Sequence, residues 1–598
     1  MNKKSSPHFS WQKKFHLIKD YFINSDEKLV AWLLLLGIVL CVAGTVGVMT
    51  ALSWCSAGFW AALTTKTITP FLISLVYTGL LSGAYVAVNV LKNLFISKLS
   101  IRWRNWLTKQ TLNKLFNGEN NYLDLKRCAE TNNLSQCIQE DIKSFVSLNL
   151  QLGAGFLKSV LSLGAFIGTL WVVGGSLTLA VLGLTITIPG YMVWVALILS
   201  LTATLITHFI GKSLADKNKE SECVEADLRQ NLETITNDAE NIAEEHAENY
   251  FKKILKTKVH DINENAHQIL NTQSKLVAFQ NFYIQFSGIF PLLVSAPLYF
   301  AGRIAVGQIM QISIAFGEVT SSLSWIVDAY EDLAKHKASA DRIIELEHFF
   351  KKGGLKDNPR AISRKEKNKD IIKIKHLNIM PPKASSTSWI MKNINLKLIA
   401  GENTLITGTS GLGKSTLFKV ISGTWPYGDG QITTPSGKHL YFLPQKPTLP
   451  KDTLMAVLAY PEPITNYSQD AYICALKAVG GMKNFISQLT EKKDWSQLSG
   501  GQQQRISVAR ALLKNPDWFF LDEATASLDE KSEQKIYKHL NSLKGKTIVS
   551  ISHQSSVKKY HSREVFFSAN NDKEITVTEK DVCSGDAKND ASVILKRS

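Results

Sequence analysis

Closely spaced cysteine pairs are missing from this sequence. Its seven cysteines, Cys41, Cys55, Cys128, Cys137, Cys223, Cys474 and Cys583, are scattered, with no Cys-x-x-Cys pair and no adjoining histidine cluster. A disulfide framework and a zinc centre are therefore not expected. Residues 1–25 lack the continuous apolar core of a secretory leader and are basic instead. Acidic residues are also comparatively few, 51 against 68 Lys and Arg, which gives a formal charge of +17. Such an excess suits nucleic acid or a membrane surface. Here the bases flank long apolar runs, as the positive-inside rule requires, so no nucleic-acid partner is expected. Long apolar runs are in turn rare after residue 335 and dense before it, so the two parts of the chain face different solvents.

At 598 residues the chain exceeds one compact domain. Residues 1–28 read as an amphipathic N-terminal helix, with Trp11, Phe15, Ile18 and Phe22 at helical spacing and Lys13, Lys14 and Lys19 between them. The pattern suits either a helix on the membrane surface or one packed on protein. Residues 29–350 form the expected transmembrane domain. Apolar stretches near 29–53, 69–95, 146–173, 178–210, 276–302 and 306–331 are each close to or above the ~20 residues that a spanning helix needs. Bases concentrate before the first stretch and in the connections after the second (Lys98, Arg102, Arg104, Lys109, Lys114) and fourth (Lys212, Lys217, Arg229). This asymmetry puts both termini on the cytoplasmic side of a multi-pass membrane protein. Membrane lipid is thus an expected partner.

Residues 351–370 are polar and contain Gly and Pro, as a linker does. From 371 to 582 β-rich runs alternate with helical ones, the pattern of an α/β domain. Residues 583–598 read as a flexible tail.

Gly408-Thr409-Ser410-Gly411-Leu412-Gly413-Lys414-Ser415 fits G-x-x-x-x-G-K-[ST] between a predicted strand and a predicted helix that continues through Thr416. Glycines let backbone N–H groups wrap phosphates, the helix N-terminus adds positive potential, Lys414 neutralises β/γ oxygens, and Ser415 can hold Mg²⁺. ATP and Mg²⁺ are the expected ligands. Downstream, Trp518-Phe519-Phe520-Leu521 ends in Asp522-Glu523. Asp522 is the candidate metal carboxylate and Glu523 the candidate general base for an attacking water. Alone, Asp-Glu after a strand is equally an N-cap with a first-turn acid. The P-loop removes that ambiguity.

With these motifs in place the sequence resembles the ABC ATPases. Leu498-Ser499-Gly500-Gly501-Gln502 looks like the signature, Gln445 the Q-loop, Ser527-Leu528-Asp529 the D-loop and His553 the switch histidine. The resemblance implies catalytic roles for Glu523, His553 and Gln445, and ATP contacts from the P-loop, the signature and Asp529. Gln445 joins Ser415 and Asp522 at the metal. It also implies two ATPase domains meeting head to tail, each ATP between one P-loop and the other signature, so that a single motif set implies a homodimer. The family's adenine-stacking aromatic is missing from Leu377 to Pro382; Trp389 is the candidate substitute.

Membrane domain followed by ATPase domain resembles half-transporters of the exporter fold. Arg104-Asn105-Trp106, Asn133 to Ile142, Gly190-Tyr191-Met192, Ser324-Trp325-Ile326 and Gly423-Thr424-Trp425-Pro426 resemble the bacterial branch related to peroxisomal fatty-acyl transporters and to uptake permeases for cobalamin, bleomycin and antimicrobial peptides. The implied function is ATP-driven transport, with uptake of a bulky hydrophilic or amphipathic solute across the inner membrane. Export or flipping of a lipid or acyl compound is the alternative, followed by an ATP-gated regulator or channel. Glu318, inside the sixth apolar stretch, is the candidate acid for substrate or proton linkage; pairing with Lys158 is the structural alternative.

Overall fold

The computed structural model describes residues 11–117, 122–123, 125, 137–181, 184–351, 362–382, 389–569 and 575–581. Two compact units divide the chain: residues 1–118 with 130–351, and residues 119–129 with 352–598.

The first unit is helical: α1 Trp11–Asn24, α2 Lys28–Thr64, α3 Ile68–Phe116, α4 Ile142–Gly174, α5 Tyr191–Asn237, α6 Ala239–Glu244, α7 Glu248–Phe300, α8 Val306–Asp328 and α9 Tyr330–Lys351. Five of the six apolar stretches fall on α2, α3, α4, α7 and α8, and the latter part of 178–210 falls on α5. Among the described residues, four helical segments are long and apolar enough to cross a membrane: Lys28–Thr64, Ile68–Phe116, Cys137–Gly174 and Glu248–Phe300. Tyr191–Thr207 is a shorter apolar helix. Leu33, Leu40, Leu72, Val76, Leu80 and Phe300 stand exposed on these helices, an apolar surface that water does not favour. Phe166 and Leu170 of α4, Met192 and Ala196 of α5, and Ile312, Phe316 and Val319 of α8 pack in one buried core.

The stretch 178–210 does not form one helix. Its first part is an antiparallel hairpin, β1 Ser176–Val181 with β2 Leu184–Pro189, in register from Ser176↔Pro189 to Val181↔Leu184. Thr178, Val181, Thr185, Ile186, Thr187 and Ile188 are β-branched and fit strand better than helix. Glycines set its limits. Gly175 and Gly190 both have left-handed φ, 65° and 59°, and Gly190 N–H donates to the Gly175 carbonyl at 3.1 Å. A Cβ on Gly190 would lie 2.3 Å from the Trp171 ring, so only glycine fits there.

In α1, Leu17 and Tyr21 are buried, and the Tyr21 ring stacks on Trp103 of α3 at 5.5 Å. This part of the N-terminal helix therefore packs on protein. Asp141, just before α4, accepts two hydrogen bonds from Arg342 of α9, at 2.8 and 2.6 Å.

The second unit contains two sheets. β3 Ser363–Lys367, β7 Gly428–Pro435, β4 Ile371–Ile379 and β5 Met391–Ile399 lie side by side in that order. β3 falls within the segment read as linker. Its side chains are all exposed, so burial periodicity could not reveal it; its order comes from parallel pairing with β7. The larger sheet runs β14-β13-β6-β12-β11-β8, comprising β6 Thr404–Gly408, β8 Leu440–Leu443, β11 Trp518–Asp522, β12 Thr547–Ile551, β13 Arg563–Ala569 and β14 Ile575–Asp581. All neighbours in it are parallel except β13 and β14, which pair antiparallel on either side of residues 570–574. The turn itself and the tail 583–598 lie outside the described residues. Helices α10 Lys414–Ile421, α11 Leu454–Ala459, α12 Gln469–Val479, α13 Gly500–Lys514 and α14 Glu530–Ser542 accompany the sheets, with the short pair β9 Asp452–Thr453 and β10 Lys492–Lys493.

β11 shows why its sequence is apolar without alternation. Trp518 and Phe520 enter the core between the sheets with Ile374, Ile406, Leu417 and Val549, whereas Phe519 and Leu521 enter the core under α11 to α14 with Tyr472, Trp495 and Ile506. A strand buried on both faces needs apolar residues at every position.

Candidate active site

Parallel strands deliver the site at their C-terminal ends, where open α/β sheets bind ligands. β6 ends at Gly408, whose φ of 140° and close approach to the Phe567 carbonyl, 2.3 Å from any added Cβ, admit no side chain. The chain then turns through Thr409, Ser410, Gly411 and Leu412 to Gly413, which has φ 88° and meets Ile390 at 2.6 Å from a hypothetical Cβ. Lys414 opens α10, with Ser415 and Thr416 in its first turn. Lys414 is buried, and its Nζ donates to the carbonyls of Gly408 and Thr409, each at 2.9 Å. Burial lowers its pKa, and Glu523 and Asp522 partly oppose that effect.

Ser415 Oγ donates to Asp522 Oδ1 at 2.7 Å. Burial holds the Asp522 carboxyl above the usual carboxylate range, against the Ser415 bond. Ser415, Asp522 and the side-chain carbonyl of Gln445 offer only oxygen donors, the set that suits Mg²⁺. Glu523 has a left-handed φ of 48°, a strained geometry for a non-glycine residue. Its N–H donates to the Ile551 carbonyl at 3.1 Å. Gln445 Nε2 donates to Glu523 Oε2 at 3.0 Å, and His553 Nε2 lies 3.5 Å from Oε1. The structure thus brings three separated sequence elements onto one carboxylate.

Gln504, which sequence reading passed over, ties these loops together. It is buried; its Nε2 reaches the carbonyls of Gln445 and Glu523, both at 3.5 Å, and its Oε1 accepts the Ser527 N–H at 2.9 Å. A glutamine following the signature on an otherwise apolar helix face was the available signal. Glu533 was also missed. It is fully buried and accepts from Thr525 at 2.7 Å and Ser556 at 2.9 Å, bracing the segment after Glu523.

The signature forms the start of α13. Ser499 is its N-cap, completing a capping box with Gln502. Leu498 is partly buried against the helical core. Gly500 and Gly501 pack on the D-loop; a Cβ on Gly501 would lie 2.9 Å from the Ser527 carbonyl. Asp529 caps α14, accepting the Ser532 N–H at 3.0 Å, and Arg505 reaches it at 3.4 Å. No bond joins the signature to the P-loop among the described residues. Trp389 precedes Ile390, the residue that touches Gly413.

In the membrane unit, α5, α7 and α8 enclose a cavity of about 470 Å³ whose lining includes Thr204, Gln280, Asn281, Tyr283, Ser313, Ser321, Ser324 and Asp328. Ser313 Oγ is buried without a partner. Glu318 is half-buried on α8 and is not in that lining; its electrostatic neighbour is Lys158 of α4.

Comparison with known proteins agrees with this geometry. Residues 17–300 match the family model "ABC transporter transmembrane region 2", and residues 391–526 match "ABC transporter". The chain is 29% identical over 547 residues to the inner membrane ABC transporter ATP-binding protein YddA of Escherichia coli, covering 90% of this chain and 94% of that one. It is 30% identical to an uncharacterized ABC transporter ATP-binding protein, sll0182, of Synechocystis, over 90% of this chain and 81% of the relative. The human lysosomal cobalamin transporter ABCD4 is 35% identical over a shorter part, 30% of this chain and 31% of that protein. A bacterial Atm1-family ABC exporter, solved with ATP bound, superposes with a TM-score of 0.73 at 18% identity, covering 93% of this chain and 96% of that one. The chain therefore belongs to the ABC transporters, as a half-transporter of exporter fold whose ATPase domain is coupled to transport.

Proposed function

We propose that this protein moves a bulky hydrophilic or amphipathic solute, of the size and polarity of a corrinoid or peptide, inward across a bacterial inner membrane. The cavity among α5, α7 and α8 carries this reading. Its lining presents the amides of Gln280 and Asn281 and the unpartnered Ser313 Oγ, groups that a polar solute can satisfy and an acyl chain cannot. Both termini and the ATPase domain are assigned to the cytoplasm, on the charge asymmetry of the connections. Residues 1–28, 29–350, 371–582 and 583–598 serve as N-terminal helix, membrane domain, ATPase domain and tail, and of the expected linker 351–370, residues 363–367 join the ATPase-domain sheet.

The active form is a pair of identical subunits, each P-loop (Gly408 to Thr416) facing the partner's signature. Ser499 and Gly500 are exposed at the N-terminus of α13, where helix amides and dipole favour an anion. Glu523 activates the attacking water, with Gln445 and His553 fixing its carboxylate. Ser415, Asp522 and Gln445 would hold Mg²⁺, which supplies charge neutralisation at the phosphates. Asp529 keeps α14, and through Arg505 the start of α13, in place.

Solute-stimulated ATPase activity in lipid discs tests the transport reading. Cobalamin or peptide is expected to raise turnover, whereas stimulation by acyl compounds alone would assign the chain to lipid export. Glu318→Gln is expected to keep basal turnover and change the solute-stimulated part. Wild-type response in that variant across about pH 5 to 8 would remove Glu318 from solute or proton linkage.

A further inference from the structure

Two lysines that the nucleotide chemistry does not use converge on a second cavity. Lys92 of α3 and Lys158 of α4 line a space of about 220 Å³ together with Val42 and Thr45 of α2, Asn93 and Gln151. Lys158 sits mid-way along an apolar stretch, where an ammonium group is costly and is retained at ligand or counter-ion sites, and Lys92 near the end of another. They also repel one another. The lining holds two ammonium groups and no carboxylate.

Compensation from the protein is partial. Lys92 Nζ donates to Asn89 Oδ1 at 2.8 Å, a neutral acceptor whose own amide is fixed on the Tyr85 carbonyl at 2.9 Å. Lys158 has Glu318 as its electrostatic neighbour, one carboxylate set against two cations. Gly155, in the same wall, has Trp325 Nε1 only 2.7 Å from where a Cβ would stand, so α8 packs closely on this part of α4. Position adds a constraint. Lys92 stands 24 residues along α3 from Ile68, roughly 36 Å at ~1.5 Å per residue, against a hydrocarbon core of ~30 Å. That places it near a headgroup region.

We propose that this cavity binds the anionic oxygen head, a phosphate or carboxylate, of an amphipath. A space of about 220 Å³ corresponds to about seven waters at ~30 Å³ each. It accommodates such a head, and no residue of its lining belongs to the lining of the cavity among α5, α7 and α8. The site is therefore distinct from the hydroxyl-lined cavity, and its failure would leave the solute-uptake reading standing.

The test uses the full-length protein in phosphatidylcholine discs, with phosphatidylglycerol, inorganic phosphate or oleate added separately. Native mass spectrometry counts retained anions, and thermal unfolding reports stabilisation. Wild type is expected to retain at least one of these anions, with affinity falling about tenfold in Lys92→Gln and in Lys158→Gln. Lys158→Arg, which keeps the charge, and Lys66→Gln, in the α2–α3 turn, are expected to bind as wild type. Basal ATPase activity certifies assembly of each variant, and either of Lys92→Gln and Lys158→Gln suffices where the other fails to assemble. Displacement of phosphatidylglycerol by inorganic phosphate would show that the head is sufficient; retention against phosphate would show that the lipid tail is required. Equal binding of all three anions by wild type and the lysine variants, or equal loss in Lys66→Gln, would overturn the proposal.

Discussion

Replacing Glu523 with glutamine is expected to lower ATP turnover by about 10²- to 10⁴-fold while nucleotide binding persists. The carboxylate is held by Gln445 at 3.0 Å and faces His553 at 3.5 Å. It contributes no bond to the Gly408 to Gly413 loop that would cradle phosphate. Glutamine preserves its size and hydrogen-bonding reach but cannot accept a proton from water. The variant should accumulate ATP-bound, closed dimers, measurable as nucleotide retained after rapid gel filtration and as loss of phosphate release. Turnover near the wild-type rate would remove Glu523 from the general-base role and leave the left-handed strain at that residue without a catalytic purpose.

Lys414→Ala is expected to act at the earlier step, weakening ATP binding by roughly tenfold to a hundredfold, as loss of a charge-assisted hydrogen bond of ~1.5–3 kcal/mol implies. Lys414 is buried with its ammonium group on the Gly408 and Thr409 carbonyls, so it also braces the loop. Two effects then combine: one positive charge is lost beside the phosphates, and two loop carbonyls lose a donor. Equilibrium titration with a fluorescent ATP analogue separates this variant from Glu523→Gln, which should bind normally. Unchanged affinity in Lys414→Ala would mean that backbone amides alone carry phosphate recognition.

The elements of the nucleotide site could be read from sequence because each rests on a short-range requirement. Gly408 and Gly413 are demanded by backbone geometry, Ser415 and Asp522 by oxygen chemistry, and β11 by burial on both faces. Their convergence could be read only through family resemblance, since Gln445, Glu523 and His553 are far apart in sequence and meet through strand order. Other features left weaker traces. The β1–β2 hairpin lay hidden in an apolar stretch because composition alone cannot separate a short buried helix from β-branched strands; Gly175 and Gly190 were the only local marks of its ends. β3 carries charged, exposed side chains, so its sequence looks like linker. Gln504 acts through buried amide contacts to Gln445, Glu523 and Ser527, and its one local trace was its place on the helix after the signature. Glu318 and the two cavities depend on which helix faces meet, and α8 shows how: Ser313, Gly317, Thr320, Ser321 and Ser324 share one face with Asp328, while Glu318 lies off it.

Solute flux into sealed vesicles addresses the central claim, that ATP hydrolysis at the paired site drives movement through the membrane domain. Wild-type protein in proteoliposomes, with MgATP on the ATPase-domain side only, is expected to move cobalamin or a peptide toward that side at a rate tied to phosphate release. The Glu523→Gln protein should move none beyond a single turnover. Equal flux in the two proteins, or flux of wild type that is indifferent to ATP, would contradict the account.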